Sequence, residues 1–444
     1  MDYDIVVIGS GISGVMAGIN AAKTKKVAII RKGYGATSLS SGAFDIAGAI
    51  SKRGRPFKNS MNLPSEIEGI LNNEPHHPYS LIAKEFLPDP FNGFMTLIKN
   101  VIMELCSMLN ENGVEYNGSW DNNMVLPVQH GTFKITSFSQ SSMSSGNLIK
   151  LMGRKILIIG FESTSIHSKI RLEFLKDTLS RYGLLSFKDI NYINIDLKAL
   201  GIMWDGHDFI ALAREMDNLD NAKKVISDMR GKVSPTGFDY IFVPPIMGIE
   251  NHKQILKLFR DAFGDTISEF LSVLPSAPGL RLQYALDKLL KRFGITLLEG
   301  NAFFNGTGDT VKRLDLLLKD GTKTSVSANS FVLSTGKFVT QGIKKTSSWE
   351  ESIFGLPVFI DDMRATEPFP LKYLTDDPYD EQILFSMGVK VDDDFRPVDE
   401  YEKIIYKNLF ASGSVLSGYN YIYDRTGMGT AIITGAKAGL LSTG

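Results

Sequence analysis

The six residues Gly9-Ser-Gly-Ile-Ser-Gly14 constrain the fold of this chain more than any other feature. They follow directly on the apolar, β-branched run 4–8, and an alanine-rich stretch with helical character comes next. A second apolar run at 27–30 closes a βαβ unit of about thirty residues, which is the unit that binds dinucleotides. A glycine-rich turn without a ligand is the weaker alternative, because such a turn would not need both neighbours.

The glycines and serines of this loop suit an anionic phosphate. Gly9 would make the tight turn, Gly11 would let a pyrophosphate approach the backbone, and Gly14 would let the helix pack closely on the strand. The first amide groups of the helix and the positive end of its dipole would face the phosphate. Ser10 and Ser13 stand between the glycines, so all five residues are predicted cofactor contacts.

The end of the second apolar run departs from the usual dinucleotide pattern. Ordinary NAD or FAD units have Asp or Glu there to hold the ribose hydroxyl groups, whereas this sequence has Arg31 and Lys32. The missing acid allows a ligand that ends in a phosphate, with Arg31 as a contact, or an adenosine held in another way. Two solvated charges at a strand end are the alternative.

A loop of small and hydroxyl residues follows at 33–48. Small residues let a planar ring system lie against the backbone, and the hydroxyl groups of Ser40 and Ser41 can bind its polar edge. We therefore predict that Ser40, Ser41 and Gly42 contact a cofactor, although serine–glycine loops are often only turns.

Three later glycine turns follow the same logic. A strand-like run ends at Gly336, and a short apolar run precedes Gly413 and Ser414. Gly427 and Gly429 open a helix of small residues, whose positive end we expect to face the pyrimidine edge of a flavin. Close packing of these glycines against the first strand is the alternative. All five residues are predicted cofactor contacts.

This layout is typical of two-domain flavoproteins. We predict an α/β fold, with a Rossmann-like parallel sheet domain that binds FAD or NAD(P) and an inserted substrate or cap domain. Residues 1–50, 275–345 and 400–444 would form the nucleotide-binding domain. Residues 51–274 and 346–399 would form the inserted region.

Composition excludes several classes of protein. The 48 Lys and Arg balance 49 Asp and Glu, so nothing favours nucleic acid as a partner. One cysteine, Cys106, rules out a disulfide framework, a cysteine-rich zinc site or an iron–sulfur cluster held by this chain alone. No metal-ligand spacing occurs, so no metal site is predicted. No signal-like start and no apolar run of about 18–20 residues is present, so we expect a cytoplasmic protein, at most peripheral to a membrane.

Five stretches resemble the B-type subunit of the anaerobic glycerol-3-phosphate dehydrogenases. They are GSGISG (9–14), SLSSGAFD (38–45), HHPYSL (76–81), PSAPGLRLQYAL (275–286) and NLFASGSVLSGYN (408–420). The resemblance implies a flavoprotein subunit with FMN as its cofactor and FAD as the alternative. It also implies a catalytic, FAD-containing A-type subunit and an iron–sulfur C-type subunit as partners at the membrane.

The implied reaction is oxidation of glycerol 3-phosphate to dihydroxyacetone phosphate, with electrons passed to quinone. The sequence departs from the wider flavoprotein pattern at Arg31 and at Ser414, where many members have an aspartate against the ribityl chain. Both departures count against conventional FAD binding, and the first, Arg31, fits FMN more easily.

Flavin-dependent oxidation of an alcohol needs a base for the hydroxyl proton and a cation for the substrate phosphate. His77 and His130 are the predicted bases and Arg425 is the predicted cation, each with a purely structural role as the alternative. Three functions stay open: an enzyme subunit for this reaction, a non-catalytic flavin-binding subunit for electron relay or assembly, and another FAD-dependent oxidoreductase of the fumarate-reductase type.

Overall fold

The computed structural model describes residues 2–48, 61–161, 173–178, 180–181, 189–206, 208–233, 237–367, 369–376 and 381–444. The strands are β1 (Asp2–Ile8), β2 (Val27–Arg31), β3 (Tyr116–Gly118), β4 (Met124–Pro127), β5 (Phe133–Thr136), β6 (Phe138–Gln140), β7 (Lys155–Gly160), β8 (Asp189–Asn194), β9 (Tyr240–Val243), β10 (Ile267–Glu269), β11 (Thr296–Phe303), β12 (Arg313–Leu318), β13 (Lys323–Leu333), β14 (Ile343–Lys345), β15 (Trp349–Glu351), β16 (Val358–Ile360), β17 (Met363–Arg364), β18 (Gly388–Val389) and β19 (Leu409–Ala411).

The α-helices are α1 (Ile12–Ala22), α2 (Ala36–Leu39), α3 (Leu63–Asn73), α4 (Pro78–Ala83), α5 (Pro90–Glu111), α6 (Ser141–Ser144), α7 (Phe209–Met216), α8 (Leu219–Val233), α9 (His252–Phe263), α10 (Ala277–Arg292) and α11 (Gly427–Leu441). Short 3-10 helices lie at Lys84–Phe86, Gly264–Thr266, Pro370–Tyr373, Ile383–Ser386 and Gly413–Val415. None of these helices is long and apolar enough to cross a membrane.

The main sheet confirms the predicted α/β fold. Its five parallel strands run in the order β11-β2-β1-β13-β19, and β12 pairs antiparallel with both β11 and β13. The last four residues of β1 and all of β2 are buried, as expected for parallel strands covered on both faces. Because these strands end at one edge, the turns after β1, β13 and β19 meet there.

Helices α1 and α11 pack together at unusually short range beside this sheet. A Cβ added at Gly435 or Gly439 would clash with a carbonyl oxygen of α1. The small residues of α11 therefore bring the two backbones into contact and fix where the N-terminus of α11 lies.

The predicted inserted region 51–274 divides between two cores. Helices α3, α4 and α5 contribute buried residues, such as Ile67 and Ile102, to the same apolar cluster as the main sheet. A separate parallel sheet, in the order β10-β9-β7-β8, packs with α7, α8 and α9 around its own cluster. Residues 61–118 thus join the core of the nucleotide-binding sheet, because their helices present long apolar faces to it.

Candidate functional site

The glycine loop after β1 has the geometry of a phosphate cradle. Gly9 adopts φ +112°, and a Cβ there would clash with the Ser334 carbonyl oxygen. A Cβ at Gly14 would clash with Gly9 in turn. Gly11 is the N-cap of α1 and provides no side-chain cap. No side chain of Gly11 therefore covers the helix terminus, and the binding of a phosphate there stays a prediction.

Thr37 completes this cradle, and the sequence analysis missed it. Its Oγ1 accepts a hydrogen bond from the Ile12 amide at 2.9 Å and would lie 3.3 Å from a Cβ on Gly11. Thr37 belongs to α2, so this contact places the small-residue loop directly over the glycine turn. The available signal in the sequence was a hydroxyl residue three positions before Ser40, in the same small-residue loop.

Three serines tie the turns of the sheet edge together. Ser13 Oγ donates to Ser412 Oγ at 2.9 Å, and Ser412 Oγ lies 2.7 Å from Ser334 Oγ. Gly413 has φ +76° and faces Ser13, and Gly336 has φ +79° and faces the Ser414 hydroxyl. The structure thus brings the predicted residues Ser13, Gly336, Gly413 and Ser414 to one place.

Arg31 is not a solvated strand-end charge. It is 4% exposed, and its Nε donates to Ser10 Oγ at 2.6 Å. Its guanidinium forms an ion pair with Asp287 of α10, with one contact at 3.0 Å between Nη1 and Oδ2. The neighbouring Lys32 is exposed and donates to Gln341.

The predicted serines of the small-residue loop have different roles. Ser40 Oγ donates to the Thr37 carbonyl oxygen and accepts from the amide of Gly42, so this hydroxyl holds the loop itself. Gly42 has φ +72°, which favours glycine. Ser41 instead accepts a bond from Lys134 Nζ at 3.4 Å.

A cavity of about 500 Å³ lies beside this loop and brings Ser41 and His130 together. It is lined by Leu39, Ser41, Val128, His130, Lys134, Leu271, Ser272, Val273 and Leu274. Lys134 forms an ion pair with Asp45 at 2.6 Å, and Asp45 Oδ1 is buried without a hydrogen-bond partner in the part of the chain that the structure describes. Apolar walls with a few polar groups are typical of a site for a ring system or a small substrate.

His77 does not reach this cavity. It is fully buried and caps α4, because its Nδ1 accepts a hydrogen bond from the backbone amide of Tyr79 at 3.0 Å. Its Nε2 lies 3.3 Å from Thr426 Oγ1, just before α11. Burial lowers the pKa of His77 to about 3, so the ring stays neutral and links α4 to the start of α11. His77 therefore has a structural role in this geometry and does not lie where it could act as a base at the cavity.

The start of α11 does not pack against the first strand, which was one of the two sequence alternatives. Gly429 lies against Tyr79 and the segment 45–46, not against the first strand, and a Cβ there would clash with the Tyr79 hydroxyl. Gly427 has room, since its nearest neighbour would be Tyr421 Cβ at 3.5 Å. Arg425 has φ +52° and packs its side chain on Gly48. The orientation of this helix end toward a flavin stays a prediction.

The sequence analysis also missed a buried lysine, Lys337, which directly follows Gly336. Lys337 Nζ donates to the Phe385 carbonyl oxygen at 2.8 Å and lies 4.9 Å from the ring centre of Tyr419. Burial lowers the pKa of Lys337 to about 7 and raises the pKa of Asp424 to about 7. The signal was the charged residue that directly follows the Ser-Thr-Gly turn.

Among the described residues, no group of three or more histidine, cysteine or acidic side chains is arranged to hold a metal ion. The donor set at the sheet edge consists of hydroxyl groups and of backbone amides at the start of α1, of which the Ile12 amide is bonded to Thr37. This chemistry fits the phosphate of a nucleotide cofactor.

Comparison with known proteins confirms the resemblance found in the sequence. The B-type subunit of the anaerobic glycerol-3-phosphate dehydrogenase from Aliivibrio fischeri (strain MJ11) is 26% identical, over 99% of this chain and 94% of the relative. The protein named as the probable B-type subunit of the same enzyme from Halobacterium salinarum is 23% identical, over 99% and 97%.

Among solved structures, the 3-ketosteroid delta1-dehydrogenase from Sterolibacterium denitrificans is 11% identical with a TM-score of 0.41, over 99% of this chain and 98% of that one. The family model described as "FAD binding domain" matches residues 4–181 and 220–430, which is most of the sequence. This match supports a flavin as the cofactor, and the chain belongs to the FAD binding domain family.

Proposed function

We propose that this chain is a flavin-carrying subunit that oxidises glycerol 3-phosphate to dihydroxyacetone phosphate, within a complex that passes the electrons to quinone. The relatives named as B-type subunits of that enzyme support it along nearly their whole length. The observation that carries the proposal is the cavity beside the small-residue loop, where Ser41, His130 and Lys134 meet. An A-type flavoprotein subunit and an iron–sulfur C-type subunit would be the partners, with membrane contact through them alone.

The glycine loop and Thr37 would hold the flavin phosphate at the N-terminus of α1. FMN is the cofactor we propose, since Arg31 stands where an adenosine ribose would need an acid. When bound, the flavin supplies a two-electron acceptor for the hydride of the substrate carbinol. The segments 1–50, 275–345 and 400–444 would carry it, and the inserted region would close the cavity.

The residues of this chain would then divide the remaining work. His130, exposed at the cavity, would take the hydroxyl proton of the substrate. Lys134 would bind the substrate phosphate by exchanging part of its contact with Asp45. Apolar residues such as Leu271 would keep water from the reacting face.

Electron relay without substrate oxidation is the second candidate. The packing roles of His77 and Arg425 favour it, because they leave His130 as the single predicted base at the cavity. In that case the A-type subunit would oxidise the substrate, and this chain would accept its electrons.

Anaerobic mixing of the purified, flavin-loaded chain with glycerol 3-phosphate tests the proposal. We expect bleaching of the flavin absorbance, at least about 100-fold slower after His130→Gln because proton abstraction contributes 10²–10⁴-fold. His76→Gln, at an exposed histidine paired with Asp362, is the matched control. Full bleaching only after addition of an A-type subunit would establish the relay role instead, and mass spectrometry of the released flavin distinguishes FMN from FAD.

A further inference from the structure

We propose that the ion pair between Arg31 and Asp287 selects FMN over FAD, by filling the position at which a dinucleotide cofactor binds its adenosine ribose. The inference rests on the proposed flavin and adds the residues that decide its class. It starts from the end of β2, which is the ribose-binding position of this type of fold.

Arg31 links the end of β2 to the glycine loop and to α10. Its Nε donates to the hydroxyl group of Ser10, which lies inside the glycine loop, and its terminal nitrogens bind the Asp287 carboxylate. The side chain of Arg31 is 5% exposed. A ribose ring could therefore not lie against this strand end unless the pair moved.

The carboxylate of Asp287 has no acceptor left for a ribose. A carboxylate offers about four lone-pair sites, and Arg31 occupies one on each oxygen. Gln283 Nε2 donates to Oδ1 at 2.9 Å, and the Tyr34 hydroxyl donates to Oδ2 at 3.3 Å. Ribose hydroxyl groups need acceptors of this kind, so Asp287 does not replace the missing acid on β2.

Gln283 makes this arrangement rigid. It is fully buried, and the same Nε2 that meets Asp287 also donates to the Ser10 carbonyl oxygen at 3.2 Å. Both partners are acceptors, so the amide has one orientation that satisfies them. The glycine loop, the end of β2 and α10 thus form one connected network around Arg31.

The pair also removes a charge that would otherwise attract an anion. Arg31 and Asp287 neutralise each other, so the phosphate must be held by loop amides and the helix terminus. The adenosine half of FAD would find both Asp287 oxygens already bonded, and the one unpartnered acceptor of this network among the described residues, Gln283 Oε1, is buried out of its reach.

The test is a fluorescence titration of the flavin-free protein with FMN and with FAD. We expect the wild-type chain to bind FMN at least as tightly as FAD. The double variant Arg31→Glu with Asp287→Asn supplies a ribose acid and removes the repulsion it would meet. Its affinity for FAD relative to FMN should rise by about 10- to 100-fold, the value of one or two hydrogen bonds to a charged group.

Glu85→Gln is the matched control, because it breaks a partly buried ion pair with Lys437 of α11 away from the loop. It should leave the ratio of the two affinities unchanged. Asp287→Asn alone covers the case in which the double variant does not fold, and it should leave that ratio within about threefold, since no ribose bond is lost.

Two results would overturn the inference. Wild-type protein that binds FAD more than about 10-fold tighter than FMN, with this advantage lost in Asp287→Asn, would assign Asp287 to the ribose. A double variant that folds but shows no gain for FAD would remove the pair from cofactor selection. Wild-type protein that binds neither flavin would instead refute the proposed function itself, so the two failures are distinguishable.

Discussion

Helix α10 carries two arginine–carboxylate pairs that bury charge in different ways. Arg281, near its start, binds Glu269 of β10, and both side chains are completely buried. Asp287, six residues later, binds Arg31, and its side chain is 22% exposed. The first pair joins β10 of the four-stranded sheet to α10, whereas the second joins the end of β2 in the main sheet to α10.

Each carboxylate has two further donors, but those of Glu269 are both buried, whereas one of those of Asp287 is the exposed Tyr34 hydroxyl group. Glu269 also accepts bonds from the Met247 amide at 2.6 Å and from Ser142 Oγ at 2.7 Å, so its charge is satisfied on all sides. Burial alone would raise the pKa of Glu269, but the Arg281 guanidinium beside it holds that pKa below its usual range. A fully buried pair of this kind serves the architecture, while the partly exposed pair is the one that we propose to select the cofactor.

Of these predictions, Arg281→Met should cause the largest loss of folding stability. Removing one partner of a fully buried pair leaves an uncompensated carboxylate, which costs about 3–5 kcal/mol. Urea unfolding followed by circular dichroism measures this loss. The double variant Arg281→Met with Glu269→Leu should recover most of it, and a single variant as stable as the wild type would contradict the architectural role.

Asp287→Asn should lower the free energy of unfolding by less, about 1–3 kcal/mol. Arg31 keeps its bond to Ser10, and water reaches the partly exposed position of Asp287. The same unfolding experiment compares the two pairs directly. A loss equal to that of Arg281→Met would remove the distinction between them.

A third buried carboxylate, Asp424, differs from Glu269 and Asp287 because, within the described ranges of the chain, it has no ion-pair partner closer than 4 Å. Its effect on stability should therefore depend on pH. Burial raises the pKa of Asp424 to about 7 from 3.8. A raised pKa in the folded state means that its stabilising contribution is full below the unfolded pKa and is lost as pH rises through 7.

We therefore expect Asp424→Asn to gain free energy of unfolding relative to the wild type between pH 4 and pH 7, with no further gain above about pH 8. Lys337, whose pKa burial lowers to about 7, is protonated in both states over most of this window and adds little slope there. Denaturant unfolding at several pH values measures the difference. Asp393→Asn, at an exposed aspartate paired with Lys84, should show none.

The smallest effect concerns the N-terminus of α11. Its dipole would favour the reduced flavin by about 0.3–1 kcal/mol, or at most about 20 mV for a two-electron couple. Gly427→Asp should lower the midpoint potential by about this amount, because a carboxylate at the start of α11 offsets the positive end of its dipole and the position has room for a side chain. Leu440→Asp, which adds the same charge at the exposed far end of α11, is the control. An unchanged potential in the Gly427→Asp variant would leave α11 with a packing role alone.

Local patterns determined much of what could be foreseen. The order of strand, glycine loop and helix predicted both the βαβ unit and the residues of the cradle, because each step depends only on neighbours in sequence. The positive φ of Gly9 and Gly413 follows from the same local logic. The resemblance to the B-type subunits could also be recognised from short motifs alone.

Contacts between distant segments decided the rest. Arg31 lies 256 positions from Asp287, and nothing beside it in the sequence indicates that its charge is neutralised. His77 sits in a distinctive motif, yet tertiary packing buries it against Thr426 and makes it a cap. The sequence by itself determined that a glycine turn leads from β1 into α1, since backbone conformation is a local property. Only the folded chain decided which charges near that turn are paired, since the energy of a charge depends on everything packed around it.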